Sequence, residues 1–172
     1  MNKAIFILGA GGHARSLITL LEHCGYTILG IFDNSYNVTK KELIGIYHLV
    51  GLEKDIIPDT RLALSIGDCI KRKNYYRKYK DQIITENLIH TTSFIEKYTN
   101  LGYSNQILAN VYINSFTTIG NNNLINSGCV IEHEAIIGDH NHISVNSTLC
   151  GRVKIGSRCF IGAGSVVTDK VK

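Results

Sequence analysis

The second half of the chain carries an aliphatic residue at every sixth position. Fourteen consecutive positions follow this rule without a gap: Ile89, Ile95, Leu101, Ile107, Ile113, Ile119, Ile125, Ile131, Ile137, Ile143, Leu149, Ile155, Ile161 and Val167. A period of six fits neither the 3.6-residue period of an α-helix nor the two-residue period of an ordinary strand. It fits short strands wound into a coil, in which one residue of each hexad points into a narrow core. The pattern therefore predicts a parallel β-helix over residues 89–172.

The position two residues before each next aliphatic residue supports this interpretation, because it always holds a small or short side chain. The series is Ser93, Thr99, Asn105, Val111, Thr117, Asn123, Cys129, Ala135, Asn141, Ser147, Val153, Cys159, Ser165 and Val171. A solenoid corner leaves little room beside the inward aliphatic residue, and overpacking it would cost about 1–3 kcal/mol. The alternative is a β-rich globular domain with a chance spacing, which does not explain fourteen consecutive matches.

The first half follows a different pattern. Residues 3–9 predict a buried strand, and a G-x-G-x-x-A turn follows at Gly9–Ala14. A helix over 14–24 and a second strand over about 26–32 complete a βαβ unit of Rossmann type. Glycines let the backbone approach a phosphate, and the free N–H groups of a helix N-terminus attract its charge. Asp33 ends the second strand about 20 residues past the turn, where an acidic group commonly meets a ribose or base edge.

The remaining elements of the first half lead directly into the repeats. A strand over 61–66 ends in Gly67, a basic helix follows over 70–80, and a short strand over 83–89 reaches the first hexad. These elements predict two domains, residues 1–88 and 89–172. About 88 residues cannot hold the two mononucleotide halves of a full dinucleotide fold, so a half-Rossmann domain that binds one nucleotide fits better than an NAD domain.

Net charge, cysteine usage and the length of apolar stretches argue against several classes of function. The formal net charge of +4 in 172 residues is mild and points to no nucleic-acid surface. A helix rich in Lys, Arg and Tyr at 71–80 is better explained as a solvated amphipathic helix than as an RNA-binding element. Five Cys residues without a C-x-x-C pair indicate reduced thiols and a cytoplasmic protein. The apolar stretch Ala4–Leu8 is too short for a signal core or a membrane span, so we expect neither.

Several motifs, taken together, resemble those of one protein family. They are Gly9-Ala10-Gly11-Gly12-His13, Asp33-Asn34, Ser65-Ile66-Gly67, Asn87-Leu88-Ile89-His90, Ile131-Glu132-His133-Glu134, Ile143-Ser144-Val145, Gly151-Arg152-Val153-Lys154-Ile155-Gly156 and Cys159-Phe160-Ile161-Gly162. Over essentially its whole length, the chain resembles the hexapeptide-repeat sugar O- and N-acetyltransferases of sialic acid and UDP-4-amino-sugar (bacillosamine-type) biosynthesis, the PglD/NeuD type. The resemblance implies a left-handed β-helix, about 18 residues per coil, and a homotrimer with active sites in the grooves between subunits.

The resemblance also assigns residues to a UDP-sugar site in the N-terminal domain. They are Gly11, Gly12, His13, Asp33, Asn34, Gly67 and Arg72. The two glycines and His13 would face the diphosphate, with His13 donating a hydrogen bond. Asp33 and Asn34 would read the uridine, and the other two residues would line the same pocket. For His13, the alternative is a helix-start residue that faces water.

Acetyl transfer needs a base for the attacking amine or hydroxyl and donors for the tetrahedral oxyanion. Histidine suits the base role because it titrates near neutrality. The resemblance places the base at His133 in the I-E-H-E string, with Glu134 holding the imidazole and Asn126 supporting the site. An exposed, idle histidine is the alternative for His133.

The co-substrate implied by the resemblance is acetyl-CoA. His142 would contact it near the thioester, and Ala163 would touch it. Gly151 lies 18 residues after His133, one coil further along, so its N–H is a candidate oxyanion donor. For His142, Ala163 and Gly151, an ordinary structural role at a corner of the β-helix is an equal alternative. Relatives continue for about another coil that helps to cover CoA, whereas this chain ends at Lys172 in phase with the repeat, so we expect a C-terminally short β-helix.

The sequence leaves several functions open. The leading hypothesis is N-acetylation of a UDP-4-amino-sugar, because the glycine turn and the pair Asp33-Asn34 favour a nucleotide-bearing acceptor. O-acetylation of sialic acid or a related sugar is the second. A zinc enzyme of the γ carbonic anhydrase type would use His133, His140 and His142, but glutamates flank the first of these and we expect no metal. A non-catalytic UDP-sugar-binding protein is the last alternative.

Overall fold

The computed structural model describes residues 3–37, 39 and 43–172, which form two compact units. The first unit comprises Met1–Gly67 and Asn74–Ile84, and the second comprises Asp68–Lys73 and Thr85–Lys172. The seam at residue 85 falls just ahead of the boundary that the sequence predicts at residue 88. Among the described residues, no helix has both the length and the apolar character needed to cross a membrane.

The first unit is built on a five-stranded sheet in the order β3-β4-β2-β1-β5. The elements in chain order are β1 (Ala4–Leu8), α1 (Gly12–His23), β2 (Thr27–Phe32), β3 (Leu43–Ile44), β4 (Tyr47–Gly51), a 3-10 turn (Glu53–Asp55), β5 (Leu62–Leu64) and α2 (Cys69–Lys78). The residues of α2 up to Lys73 belong to the second unit. All neighbouring strands are parallel except β3 and β4. The predicted βαβ unit and the basic helix are therefore present, with ends that lie within two residues of the prediction.

The order of the strands creates a crevice at one edge of this sheet. The chain runs outward from β1 through β2 to β4, and then returns to β5 on the other side of β1. Such a reversal is a topological switch point, and ligands of open α/β sheets bind outside the carboxyl ends of the strands there. Ile5 and Ile7 of β1 and Leu17 and Leu21 of α1 are all fully buried, so both elements contribute to the core of this unit.

The second unit contains fourteen two-residue strands in three parallel sheets. In chain order the strands are β6 (Leu88–Ile89), β7 (Phe94–Ile95), β8 (Asn100–Leu101), β9 (Gln106–Ile107), β10 (Tyr112–Ile113), β11 (Thr118–Ile119), β12 (Leu124–Ile125), β13 (Val130–Ile131), β14 (Ile136–Ile137), β15 (His142–Ile143), β16 (Thr148–Leu149), β17 (Lys154–Ile155), β18 (Phe160–Ile161) and β19 (Val166–Val167). Each pairs with the strand three elements on, as Tyr112 does with Val130. This is a parallel β-helix of about 4.7 coils, so the predicted fold class is confirmed.

The core of the β-helix consists of the residues of the six-residue series. Eight of the fourteen, from Ile107 to Leu149, are at most 2% exposed, and the six nearest the two ends pack against them while partly exposed. Each strand is only two residues long, and its residue from the six-residue series points into the core. In most strands the other residue is at least partly exposed.

One corner of the β-helix is held together by a ladder of asparagines, which explains part of the small-residue series. The amide oxygen of Asn87 accepts the backbone N–H of Asn105 at 2.9 Å, and Asn105 accepts that of Asn123 at 2.8 Å. The ladder continues through Asn141 at 2.8 Å and ends on the N–H of Cys159 at 2.7 Å. Buried backbone N–H groups at a corner need partners, and a short carboxamide can reach the next coil.

The corners also require a left-handed backbone conformation once every six residues. From residue 98 onward, a positive φ recurs at Tyr98, Ser104, Asn110, Phe116, Asn122, Gly128, Glu134, His140, Asn146, Arg152, Arg158, Gly164 and Lys170. For a residue with a Cβ this conformation costs about 1–2 kcal/mol. Eleven of these positions nevertheless lack glycine, so the paired strands on either side impose the conformation.

Candidate functional site

The glycine turn of the first unit lies at the carboxyl end of β1, on the switch point. Gly9 has a φ of +108°, and a Cβ there would come within 2.8 Å of the Ser65 carbonyl oxygen. Gly9 is therefore required for the close passage of β1 beside the end of β5. Gly11 and Gly12 are exposed, and a Cβ at either position would meet no atom within 4 Å. The turn thus leaves open space in front of the first N–H groups of α1, as an anion site requires.

Asp33 shapes this turn with its carboxylate. One oxygen accepts the N–H of Ala10 at 2.7 Å, and the other accepts the N–H and hydroxyl of Ser35 at 2.8 and 2.6 Å. Partial burial raises the pKa of Asp33, but the hydrogen bonds from Ser35 and Ala10 outweigh it and hold the pKa below its usual value. Asp33 therefore ties the glycine turn to the end of β2, and its predicted contact with uridine stays a prediction.

Asn34 is exposed beside this turn and is held by Glu53, a residue that the sequence analysis did not single out. The Asn34 amide donates to Glu53 at 3.3 Å and accepts the Glu53 N–H at 3.2 Å. The Glu53 carboxylate also accepts hydrogen bonds from Lys78 at 2.6 Å and from the hydroxyls of Tyr75 and Tyr79, each at 3.1 Å. Tyr75 and Tyr79 thus face a partly buried carboxylate, and no local sequence pattern predicts this contact.

The Glu53 network gives the first unit a pH-dependent stability. Burial raises the pKa of Glu53, but hydrogen bonds from Lys78, Asn34, Tyr79 and Tyr75 outweigh it and lower the pKa below 4.5. A lowered folded-state pKa adds stability above the unfolded value, and this stability is lost as pH falls through the folded value. We expect Glu53→Gln to reduce the free energy of unfolding by about 1–3 kcal/mol at pH 7, measured by urea denaturation.

The same measurement at a pH well below 4.5 is the internal control, because the stability that a lowered pKa provides is lost as pH falls through the folded-state value, so the difference should shrink. Asp81→Asn alters an exposed carboxylate of the same unit and should change stability by less than about 0.5 kcal/mol at either pH. A loss in Glu53→Gln that is equally large at both pH values would contradict this account.

The other residues assigned to the nucleotide site have different surroundings. His13 is half-buried in the first turn of α1, and a Cβ at Gly67 would meet no atom within 4 Å. Arg72 belongs to the second unit and is 1% exposed. Its guanidinium donates to the backbone oxygens of His140 and Asn141 at 2.8 and 2.7 Å. The side chain is therefore committed to a corner of the β-helix, and a contact between Arg72 and a nucleotide sugar stays a prediction.

His133 lies at the corner that follows β13, with its ring half-exposed. Its Nδ1 is 3.0 Å from Glu134 Oε2, and the two side chains are 44% and 54% exposed. Glu134 adopts the left-handed conformation, with a φ of +60°. A histidine whose Nδ1 meets a carboxylate presents Nε2 as the free base, and the carboxylate stabilises the imidazolium that forms. The predicted pairing of these two side chains is therefore present.

Gly151 lies directly against the His133 ring. A Cβ on Gly151 would be 2.8 Å from Cε1 and 2.9 Å from Nε2 of the imidazole. The coils are also joined here, because the N–H of Arg152 donates to the His133 carbonyl at 3.0 Å. The absence of a side chain at this position leaves the basic nitrogen accessible. The structure brings these two residues together, while the oxyanion role of Gly151 stays a prediction.

The remaining predicted residues lie on neighbouring coils. Asn126 follows β12, and its amide oxygen accepts the N–H of Ser127 at 2.9 Å. His142 of β15 packs edge-on against Phe160 of β18, with ring centroids 4.9 Å apart. Ala163 is exposed in the corner after β18. Support of His133 by Asn126, and contacts of His142 and Ala163 with CoA, remain predictions.

An open groove borders the His133–Glu134 pair on one face of the β-helix. It has a volume of about 660 Å³ and is lined by Phe116, Thr118, Glu134 and Ile136. Phe116 and Ile136 are 61% and 46% exposed, and the ring of Tyr98 stacks on that of Phe116 at 5.2 Å. An apolar wall with a carboxylate at its edge is typical of a ligand-binding groove.

The zinc alternative requires three histidines close enough to share one metal ion. In the part of the chain that the structure describes, no group of three or more His, Cys, Asp or Glu side chains could hold a metal ion. His133 is paired with Glu134, and His140 Nδ1 lies 2.9 Å from the Asn122 amide nitrogen.

Comparison with known proteins identifies both parts of the chain. Residues 4–79 match the PglD N-terminal domain, and residues 134–169 match the bacterial transferase hexapeptide family of six repeats. Residues 4–79 are thus similar to a PglD-type N-terminal domain, and residues 134–169 are similar to six hexapeptide repeats. The predicted resemblance to the PglD/NeuD type is confirmed. The sequence has no significant match among curated proteins.

Solved structures resemble the chain over nearly its full length. PerB from Caulobacter crescentus, in complex with CoA and GDP-perosamine, is 24% identical, with a TM-score of 0.76 over 98% of this chain and 90% of PerB. The acetyltransferase domain of PglB from Neisseria gonorrhoeae is 17% identical, with a TM-score of 0.80 over 99% of this chain and 94% of that domain. The same domain has been solved with acetyl coenzyme A. At these identities the likeness establishes the fold.

Proposed function

We propose that the protein is an acetyl-CoA-dependent N-acetyltransferase that acts on the amino group of a nucleotide-linked 4-amino-sugar. The observation that carries this proposal is the His133–Glu134 pair beneath Gly151. It forms a general base with an oriented partner and an open nitrogen, on a fold that PerB and the PglB domain share. The glycine turn on the switch point of the first unit supports a nucleotide-bearing acceptor.

In the proposed reaction, Nε2 of His133 takes a proton from the sugar amine as its nitrogen attacks the thioester carbonyl. Glu134 stabilises the imidazolium through Nδ1. The N–H of Gly151 would donate to the oxyanion. The new N–C bond remains when the C–S bond breaks, and the proton on His133 passes to the departing thiolate. His142 and Ala163 would contact acetyl-CoA, and Asn126 would support the base.

The acceptor would bind at the glycine turn, with Gly11, Gly12 and His13 toward the diphosphate. Asn34, together with Asp33, would face the base. The resemblance favours uridine, whereas PerB was solved with a GDP-linked sugar.

We further propose a cytoplasmic homotrimer, in which each groove between subunits holds one site. The exposed apolar groove beside Glu134 supports such an assembly.

The experiment that tests this proposal follows thiol release from acetyl-CoA with a panel of UDP- and GDP-linked 4-amino-sugars. Free sialic acid serves as the acceptor for the O-acetyl alternative, and a reaction without acceptor gives the background hydrolysis. We expect thiol release with at least one nucleotide amino-sugar, together with a product heavier by one acetyl group. Release with sialic acid alone would favour O-acetylation, and tight sugar binding without release would favour a non-catalytic binding protein.

A further inference from the structure

The His133–Glu134 pair lies next to a second charged pair that the reaction proposed above does not use. Arg152 follows Gly151 in the corner after β16, and Asp169 lies one coil further along, after β19. One guanidinium nitrogen of Arg152 is 3.0 Å and 2.9 Å from the two carboxylate oxygens of Asp169. The other nitrogen lies 3.8 Å from Glu134 Oε2. This last oxygen is the one that meets His133 Nδ1.

The Glu134 oxygen is therefore within reach of two cationic groups. At 3.0 Å the imidazole is at hydrogen-bonding distance, whereas at 3.8 Å the guanidinium is too far away for a hydrogen bond. Asp169 holds the guanidinium at this distance, since it accepts both hydrogen bonds from the nearer nitrogen. Without that anchor, Glu134 would be the carboxylate closest to the Arg152 charge.

Asp169 also approaches the imidazole from the other side. A Cβ on Gly151 would lie 2.9 Å from His133 Nε2 and 3.3 Å from Asp169 Oδ1, so these two atoms are within about 6 Å of each other. The hydrogen bond and charge of Arg152 lower the pKa of Asp169, which keeps this carboxylate ionised over the neutral range. The ionised carboxylate is therefore the group that anchors the guanidinium.

We propose that Asp169 is a positioning residue for the base. It restrains Arg152, so that the Glu134 oxygen stays with His133. The charged groups around the ring are Glu132, Glu134, Arg152, Asp169 and Lys170. Glu132 accepts a hydrogen bond from Asn114 at 2.6 Å, and Lys170 Nζ lies 3.6 Å from Asp169. The changes in rate that follow rest on the proposed acetyl transfer, whereas the changes in the titration of the His133 ring rest on the geometry alone.

An exposed ion pair contributes little to stability, so the variants of this pair should fold. We expect Asp169→Asn to release Arg152 onto Glu134 and to lower the acetyl-transfer rate about 3-fold to 10-fold at pH 7. Less stabilisation of the imidazolium means that the ring loses its proton at lower pH. The acid limb of the pH–rate profile should therefore move down by about 0.5 pH unit. Arg152→Gln should move it in the opposite direction.

The double variant Asp169→Asn with Arg152→Gln distinguishes positioning from a structural role. Without the guanidinium, no second group competes with His133 for the Glu134 oxygen, so we expect the rate to return to within about 2-fold of the wild type. Asp169→Glu should also retain most of the rate. A double variant as impaired as Asp169→Asn would overturn the proposal, because the carboxylate would then act independently of Arg152.

A readout that does not depend on turnover separates this inference from the proposed function. The titration of the His133 ring can be followed by NMR, with the resonance assigned by its loss in His133→Asn. We expect its midpoint to fall in Asp169→Asn, to rise in Arg152→Gln and to lie between the two in the double variant. Unchanged midpoints in all three variants would overturn the inference. Failure of every amino-sugar as a substrate would refute the proposed function alone.

Discussion

Replacement of His133 by Asn is expected to lower the rate of acetyl transfer by about 10²–10⁴-fold, the usual contribution of a general base. Asn keeps a polar side chain of similar size but cannot accept the proton of the attacking amine near neutral pH. Binding of the nucleotide sugar should change little, because the glycine turn belongs to the other unit of the chain. Steady-state kinetics and isothermal titration of the sugar measure the two effects separately.

The matched control is His48→Asn, which changes an exposed histidine on β4 of the first unit and should leave the rate within about 2-fold of the wild type.

Gly151→Ala tests the same site without removing the imidazole. The added Cβ would come within 2.9 Å of Nε2 and must displace the ring. A misplacement of about 1 Å can cost about 100-fold in rate. Gly156→Ala adds a Cβ that would meet only Cys159 Sγ, at 4.0 Å, and should be nearly neutral. An undiminished rate in His133→Asn would remove this residue from the mechanism.

Sequence reasoning worked where the fold repeats a local rule. Every one of the fourteen aliphatic positions lies in the core of the β-helix or packs against it, because each short strand points one side chain inward. The same period brings the site together. Residues 18 apart lie in neighbouring coils, so Gly151 falls over His133 as the spacing predicts. One more step of 18 reaches Asp169, and the same arithmetic could have found it.

Sequence reasoning was least informative where a contact joins distant residues without a period. Glu53 lies in a stretch with no legible pattern, yet it collects hydrogen bonds from α2 and from Asn34. The series of short corner residues indicated tight packing, whereas the structure shows that its asparagines form a hydrogen-bonded ladder. Steric size alone cannot reveal such a ladder, because Asn, Val and Thr fit similar spaces and differ in the partners they find. Arg72 is a further example, because its hydrogen bonds also join residues that are far apart in the sequence.

Arg72→Met is expected to reduce the free energy of unfolding by about 3–5 kcal/mol, because it removes the donors of several charge-assisted hydrogen bonds to backbone carbonyls. The guanidinium is 1% exposed and donates to the carbonyl oxygens of Asn122, His140 and Asn141. Burial lowers the pKa of Arg72, although Cys69 and Asp68 partly offset this. Methionine fills much of the same space but removes these donors. Asn141 keeps the backbone N–H of Leu124, at 2.9 Å, as a donor to its carbonyl, whereas the loss of the Arg72 donor to the Asn122 and His140 carbonyls costs about 1–3 kcal/mol each. Urea denaturation followed by circular dichroism measures the loss.

Arg77→Met is the matched control, because Arg77 lies on the same helix and is exposed. It should change stability by less than about 0.5 kcal/mol. Arg72→Lys keeps the charge but not the fork of donors that reaches three carbonyls, so we expect an intermediate loss. Two of these carbonyls, those of His140 and Asn141, belong to the corner that precedes His142. If His142 contacts the thioester, Arg72→Lys should therefore also raise the KM for acetyl-CoA. A stability of Arg72→Met equal to that of Arg77→Met would show that the three carbonyls find other donors.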